Sequence, residues 1–235
     1  MKVQIKILAT GSKGNCCYIS DGVTGLLIEC GIRYTDIMRG LDYNVGNIGA
    51  VLVSHAHKDH SLCAAEMAEM GFEMLMPEKT AIALGLEFHP CVTLAVQSKQ
   101  YTIGTFGIVP FPLVHCNTDG SECPCFGYLI ASSATREKLL FATDTAYIKN
   151  RFRGLTHVMI EVNYIGGMVN CEGVPEVEKR RLKSHMSLET AVQFLESTDR
   201  SALKAIYAIH GSETRSDKDE VYRALAPYAE KVIVG

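Results

Sequence analysis

The chain has no tryptophan, which alone excludes nothing. It also has no apolar run near the ~18–20 residues that a bilayer-spanning helix needs. There is no internal repeat, low-complexity tract or Pro/Ser-rich linker, so a single domain over residues 1–235 is expected. Nor does it open like a secretory leader. MKVQIKILATGS alternates as a strand does, and its apolar stretch is short and broken by charge. A cytoplasmic protein with no membrane partner is the expectation. A surplus of positive charge is missing too. With 23 Lys and Arg against 26 Asp and Glu the net charge is −3, so no global field draws the chain onto nucleic acid or anionic lipid. The local exception is Lys179-Arg180-Arg181 with Lys183, which could hold a phosphate backbone or be an ordinary solvated face.

What is present starts with size. At 235 residues and 47% hydrophobic, the chain can bury one substantial core, and wholesale disorder is excluded. Nine cysteines are many, and the number is odd. A core of this size needs no disulfide staples, so reduced thiols are the default. Cys123-Pro124-Cys125 is one residue short of the usual metal-knuckle spacing, and no second pair follows it.

Short β-type runs alternate with turn signals at Val3–Leu8, Cys17–Ser20, Gly25–Cys30, Ala50–Ser54, Thr105–Pro110, Phe126–Ala131, Lys138–Ala142, His157–Val162, Lys204–Ile209 and Lys231–Val234. Helical periodicity marks Leu62–Met70, Pro77–Leu86, Ser187–Ser197 and Asp217–Tyr228, with Pro77 in a first turn and Ser187 as an N-cap. Strands read as meanders in both halves, with helices between and after them. That pattern predicts an α/β (α+β) protein of two packed sheets with helices outside. Gly11-Ser12-Lys13-Gly14-Asn15 lacks the full phosphate-loop pattern and reads as a plain turn between strands.

The chemistry concentrates in His55-Ala56-His57-Lys58-Asp59-His60, directly after the apolar run Ala50–Ser54. His55 and His57, two apart in extended chain, point the same way. Asp59 and His60 fall in the loop that leads to the helix at Leu62. Four such polar groups beside a buried strand are costly unless something satisfies them, and a divalent metal such as Zn²⁺, Fe²⁺ or Mn²⁺ does so. Three further candidates emerge at the ends of apolar strands: His115 after Phe106–Val114, Asp144 after Leu139–Thr143, and His210 after Ala205–Ile209. Each alone reads as an ordinary surface or core residue; together with the first motif they read as ligands.

This order, H-x-H-x-D-H followed by a strand-end His, a strand-end Asp and a late strand-end His, resembles the metallo-β-lactamase fold superfamily. The resemblance runs from Val3 to about Ser216. It implies an αββα sandwich of two mixed β-sheets flanked by helices, with two divalent metals, Zn²⁺ first and Mn²⁺ or Fe²⁺ as alternatives. It implies His55, His57 and His115 for one metal, Asp59, His60 and His210 for the other, and Asp144 between them. Asp rather than Cys at 144 is similar to the phosphodiesterase, nuclease and lactonase branches. Glu161-Val162-Asn163-Tyr164 and Ser184-His185-Met186-Ser187 resemble the acid-plus-His arrangement of ribonuclease Z and its small nuclease relatives, where a Glu orients a His near the leaving group. Asp59, His185 and Glu161 are then the catalytic set. Departures are Glu29 where an Asp is usual, the missing Asn after Ser187, a long Cys116–Cys125 stretch, and no basic arm in Gly71–Gln100. The last disfavours transfer-RNA maturation.

The resemblance implies a metal-dependent hydrolase, foremost a phosphodiesterase cleaving DNA or RNA. A hydrolase of cyclic nucleotides, other cyclic phosphodiesters or lactones on the same site is the alternative, and a non-enzymatic metal-binding module comes third. Partners are nucleic acid or a small phosphodiester, and the family's frequent homodimer is possible. His89 and His157 match no motif and read as structural, as does Cys116.

Overall fold

Continuous apolar runs such as Gly25–Ile28 and Met74–Pro77 are buried at every position. Strands covered on both faces are the mark of parallel pairing, and parallel strands need crossovers long enough to hold a helix. The computed structural model describes residues 2–117, 121–166, 182 and 184–235. The basic cluster at 179–183 and Cys171 lie outside the described residues. The chain divides into two compact units, Met1–Pro110 with Ile130–Glu137, and Phe111–Leu129 with Lys138–Gly235.

The first unit is built on a six-stranded sheet in sequential order: β1 (Gln4–Ala9), β2 (Cys16–Ser20), β3 (Gly25–Ile28), β4 (Ile48–Leu52), β5 (Met74–Pro77) and β6 (Val92–Ala95). β1, β2 and β3 form the expected meander, but β3 through β6 are parallel. The crossovers carry α1 (Tyr34–Gly40), α2 (Lys58–Ser61), α3 (Ala64–Glu69) and α4 (Glu78–Leu84). Leu27, Val51, Val53, Met74 and Met76 pack with Ile37, Met67 and Ala81 of these helices. The expected helix at Leu62–Met70 is broken at Cys63, whose φ of −110° and ψ of 21° leave the helical range, so Asp59 and His60 sit on a helical turn rather than in a loop. Pro77 closes β5 and caps α4 from outside instead of occupying its first turn.

The second sheet has the order β13-β12-β11-β10-β9-β8-β7. β7 (Tyr101–Ile103) pairs antiparallel with the start of β8 (Phe106–Cys116), and β8 and β9 (Glu122–Ser132) each belong in part to both units. In the second unit β10 (Lys138–Ala142), β11 (His157–Glu161), β12 (Ala205–Ile209) and β13 (Lys231–Val234) run parallel. Their alternate residues Leu140, Ala142, Val158, Ile160, Ile206 and Ala208 share a core with Ala191 and Leu195 of α5 (Leu188–Glu196) and Val221 and Leu225 of α6 (Lys218–Leu225). Ser187 caps α5 as expected, accepting from Thr190 N–H at 3.2 Å. Two mixed sheets with helices are the expected class. Among the described residues no helix is long and apolar enough to cross a membrane.

One buried carboxylate ties the first unit together. Asp21, in the β2–β3 turn, accepts from the Thr105 and Ser132 hydroxyls at 2.6 Å each and from Val23 and Thr24 N–H at 3.0 Å each. Burial alone would raise this carboxyl, but the Ser132 and Thr105 bonds, with those of the backbone, outweigh it and hold it below the usual range. A carboxyl depressed in the folded state stabilises above its unfolded pKa of ~3.9 and loses that contribution as pH falls through the lower folded value. Asp21→Asn should therefore cost about 1–3 kcal/mol in urea unfolding at neutral pH and flatten the decline in stability below about pH 4. An unchanged midpoint with an unchanged acid limb would refute this role.

Candidate functional site

In the first unit β4 ends at Leu52, and the chain runs on through Ser54 to His55 and His57 before α2 begins. His57 is the N-cap of α2, Asp59 lies in its first turn, and His60 is buried on it. His55 and His60 have no exposure at all. His55 Nδ1 is 2.9 Å from Ser54 Oγ, and its Nε2 is 2.9 Å from His57 Nδ1. The His55 and His60 ring centroids are 4.3 Å apart, and His60 Nε2 is 3.4 Å from an Asp59 oxygen. Extended geometry therefore brings His55 and His57 together as the sequence predicts, and the helical turn adds Asp59 and His60.

Backbone stitching fixes this motif. Asn15 N–H and its side-chain amide both donate to Asp59 C=O, at 2.8 and 3.1 Å. Cys30 N–H donates to His60 C=O at 2.9 Å and Gly31 N–H to Asn15 C=O at 2.9 Å. Gly31 is required there, since a Cβ would overlap the Asp59 carbonyl. The turn at 11–15 is a plain one, as expected, but Asn15 was missed as an anchor. Its signal was an Asn held by its own turn, accepting from Gly11 N–H at 2.9 Å. Glu29, although longer than the usual Asp, still reaches the motif: Oε2 accepts from Ser54 N–H at 3.3 Å and Oε1 is 3.5 Å from His60 Nδ1.

The second unit gathers the other candidates at one sheet edge. Parallel registry aligns Ala142 with Ile160 and Glu161 with Ile209. Asp144, Glu161 and His210 thus emerge together at the carboxyl ends of β10, β11 and β12. His115, next to last in β8, places Nε2 3.6 Å from an Asp144 oxygen. His210 Nδ1 is 3.3 Å from the other Asp144 oxygen. Glu161 is fully buried. Its Oε1 faces His185 Nδ1 at 2.6 Å and His210 Nδ1 at 2.9 Å, and Oε2 accepts from Thr145 N–H at 2.9 Å and Met186 N–H at 3.1 Å. One donor atom from each of Asp144, Glu161, His185 and His210 lies within 4.8 Å of the others.

Burial alone would push the Glu161 carboxyl up; the His185 charge and the bonds from His185 and His210 overcome it and hold the group at about 2. Burial likewise opposes charging His185, but Glu161 beside it wins and raises the imidazole above its ordinary value. Glu161 was expected to orient His185 alone; it also holds His210. Asn163 was missed. Its side-chain amide donates to His210 C=O at 3.0 Å and fixes the loop that presents the ring. His157 and His89 lie in other environments, His157 Nδ1 beside Thr156 Oγ1 at 2.9 Å and His89 Nδ1 accepting from Cys91 N–H. Buried imidazole nitrogens and carboxylate oxygens converging in this way form a donor set suited to divalent metal.

Comparison with known proteins agrees with the geometry. The exodeoxyribonuclease YycJ of Bacillus anthracis is 26% identical over 93% of this chain and 86% of its own length. The exodeoxyribonuclease WalJ of Streptococcus pneumoniae is 24% identical over 91% of this chain and 83% of its own. Among solved structures, the metallo-β-lactamase fold protein YhfI of Bacillus subtilis superposes with a TM-score of 0.76, covering all of this chain and 97% of that one at 14% identity. At that identity the likeness establishes the fold, which is the metallo-β-lactamase fold. A family model described as the β-lactamase superfamily domain matches residues 26–210, which take in every candidate ligand together with Glu161 and His185, and the chain belongs to that family.

Proposed function

We propose that this protein is a metal-dependent phosphodiesterase that cleaves nucleic acid in the cytoplasm, with DNA as the first substrate to test. The observation that carries this reading is the buried Glu161 carboxylate gripping both His185 and His210 beside Asp144. It orders one imidazole for a metal and one for a substrate. In this reading His55, His57, Asp59, His60, His115, Asp144 and His210 hold two divalent ions, Zn²⁺ first and Mn²⁺ or Fe²⁺ as alternatives. The exodeoxyribonuclease names of the two relatives favour DNA over RNA and cleavage from an end. The family match at 26–210 runs through both compact units, which supports reading the chain as one domain.

When bound, two such ions neutralise the phosphodiester charge and lower the pKa of a water towards ~7. The side chains do the rest. His185 gives its Nδ1–H to Glu161, which leaves Nε2–H of the charged ring to protonate the departing alkoxide. Asp59, whose side chain is 25% exposed, is within reach of water and can take the proton that the attacking water loses. Asn163 and Glu161 keep the His210 ring from rotating away. With a net charge of −3, substrate must be held by local contacts rather than by a global field.

Reconstituted with Mn²⁺ or Zn²⁺, the protein should shorten single- or double-stranded DNA oligonucleotides from an end, and Asp144→Ala should abolish this. Retained turnover in that variant would overturn the assignment. Intact DNA and RNA with hydrolysis of cyclic phosphodiesters would select the small-molecule hydrolase instead, and no turnover on any of these would leave a metal-binding module. His185→Ala should lower turnover by about 10²–10⁴-fold while metal analysis finds both ions still bound. Loss of an ion in that variant would make His185 a ligand.

A further inference from the structure

The β8–β9 hairpin places a thiol where a metal ligand belongs. The two strands are neighbours in the sheet, and the hairpin closes with Asn117 N–H donating to Ser121 C=O at 2.8 Å. Counting back from that closure sets His115 opposite Cys123, Leu113 opposite Cys125 and Phe111 opposite Gly127. The same count explains why a Cβ on Gly127 would collide with the Phe111 ring. Opposed residues share a face, with Cβ atoms ~4.5–5.5 Å apart. Burial alternates accordingly: 111, 113, 115, 123, 125 and 127 are buried, whereas 112, 114, 116, 124 and 126 are more exposed. Down this face Leu113 and Cys125 belong to the apolar core, and the Cys125 thiol is turned towards Thr143 C=O at 3.9 Å. At the top the pair is imidazole and thiol. Cys123 is 7% exposed, and its sulfur lies within 4.8 Å of a His115 ring nitrogen.

We propose that Cys123 is a metal ligand, binding through its thiolate the ion that His115 holds. This rests on the reading of His115 as a ligand given above. Coordination releases the thiol proton to solvent as the metal–sulfur bond forms, with no change of oxidation state. A mixed imidazole and thiolate donor set selects Zn²⁺ over the harder Mn²⁺, so the hairpin is what sets the metal preference of the site. The Cys-Pro-Cys run then has two separate roles, with one sulfur for the metal and one for the core.

Cobalt(II) reports a bound thiolate directly. The apo protein loaded with Co²⁺, with uptake measured by metal analysis, should show a near-ultraviolet thiolate-to-cobalt charge-transfer band. The band should disappear in Cys123→Ser and persist in Cys116→Ser, whose side chain leaves the strand on the opposite face. Zn²⁺ affinity in Cys123→Ser should fall by at least the ~10-fold that loss of an outer partner costs, with Mn²⁺ affinity changed less. As a measurement needing no variant, X-ray absorption of the Zn²⁺-loaded wild-type protein should find a sulfur neighbour at ~2.3 Å. Bound metal with no sulfur neighbour, or a band that survives Cys123→Ser, would overturn the proposal and leave the proposed function standing. Failure to take up metal at all would remove both.

Discussion

A carboxylate with no exposure to water must have both oxygens satisfied, and the second unit is arranged around that demand. Glu161 closes β11 at the centre of the parallel set. One oxygen takes two backbone N–H groups, from Thr145 just past β10 and Met186 just before α5. The other takes two imidazoles, His185 and His210. Three loops, after β10, before α5 and after β12, are thereby held in place by one side chain. Removing such a group costs more than its bonds, because every partner is left desolvated. The charge is kept by the same contacts that give it a use: the bonds that depress Glu161 are those that fix the two rings.

The first unit solves the equivalent problem with backbone. His55 and His60 are fully buried, and within the turn that carries them the Ser61 hydroxyl lies 3.0 Å from the Ala56 and His57 carbonyls. From outside the turn, Asn15 donates to the Asp59 carbonyl and Cys30 to the His60 carbonyl, and Gly31 N–H in turn holds the Asn15 carbonyl. This makes the β1–β2 turn and the end of β3 part of the motif's support, although neither carries a candidate ligand. Asp21 does similar work at the far end of the same strands, with four donors on one carboxylate.

Much of this was legible in the sequence. The H-x-H-x-D-H run and the strand-end positions of His115, Asp144 and His210 needed only residue type and local pattern; these strand-end residues, with His55 and His57, fall where that pattern predicts, whereas Asp59 and His60 stand on a helical turn instead of in a loop. Ser187 announced its cap. The parallel pairing of β3 through β6 was not legible, because a short buried apolar run reads alike in either direction and only connection length separates the two. β5 and β6 are not legible because four residues each carry too little pattern, β6 being buried only at Ala95, and α1 because Tyr34–Gly40 buries only Ile37 and Met38. Asn15 and Asn163 stand within the motifs, but local pattern assigns them no role, since what they do depends on carbonyls that lie far off in sequence. The exchange of Asp for Glu at 29 looked damaging by type, and the extra methylene simply spans the distance to Ser54.

Backbone strain marks the same positions by an independent route. Glu29, Asp144 and His210 follow β3, β10 and β12, and all three have left-handed backbone, with φ of 64°, 48° and 55°. For residues with a Cβ this conformation costs ~1–3 kcal/mol each. It persists only where the surroundings enforce it, and here a reason is visible at each site. A strand that stayed extended would send the next side chain to the opposite face. A single left-handed residue ends the strand and turns the side chain along the sheet edge instead. That is how Asp144 and His210 come to meet across β11 at 3.3 Å, with Glu161 of the intervening strand below them. Gly at any of the three would relieve the backbone and delete the carboxylate or imidazole that the turn exists to present. Asp42, Tyr43, Ser98 and Arg136 take the same conformation away from these strand ends, so the left-handed turn alone marks no site. At Asp144 and His210 it is the side chain it presents, and the Glu161 contact that side chain makes or borders, that ties the strain to chemistry.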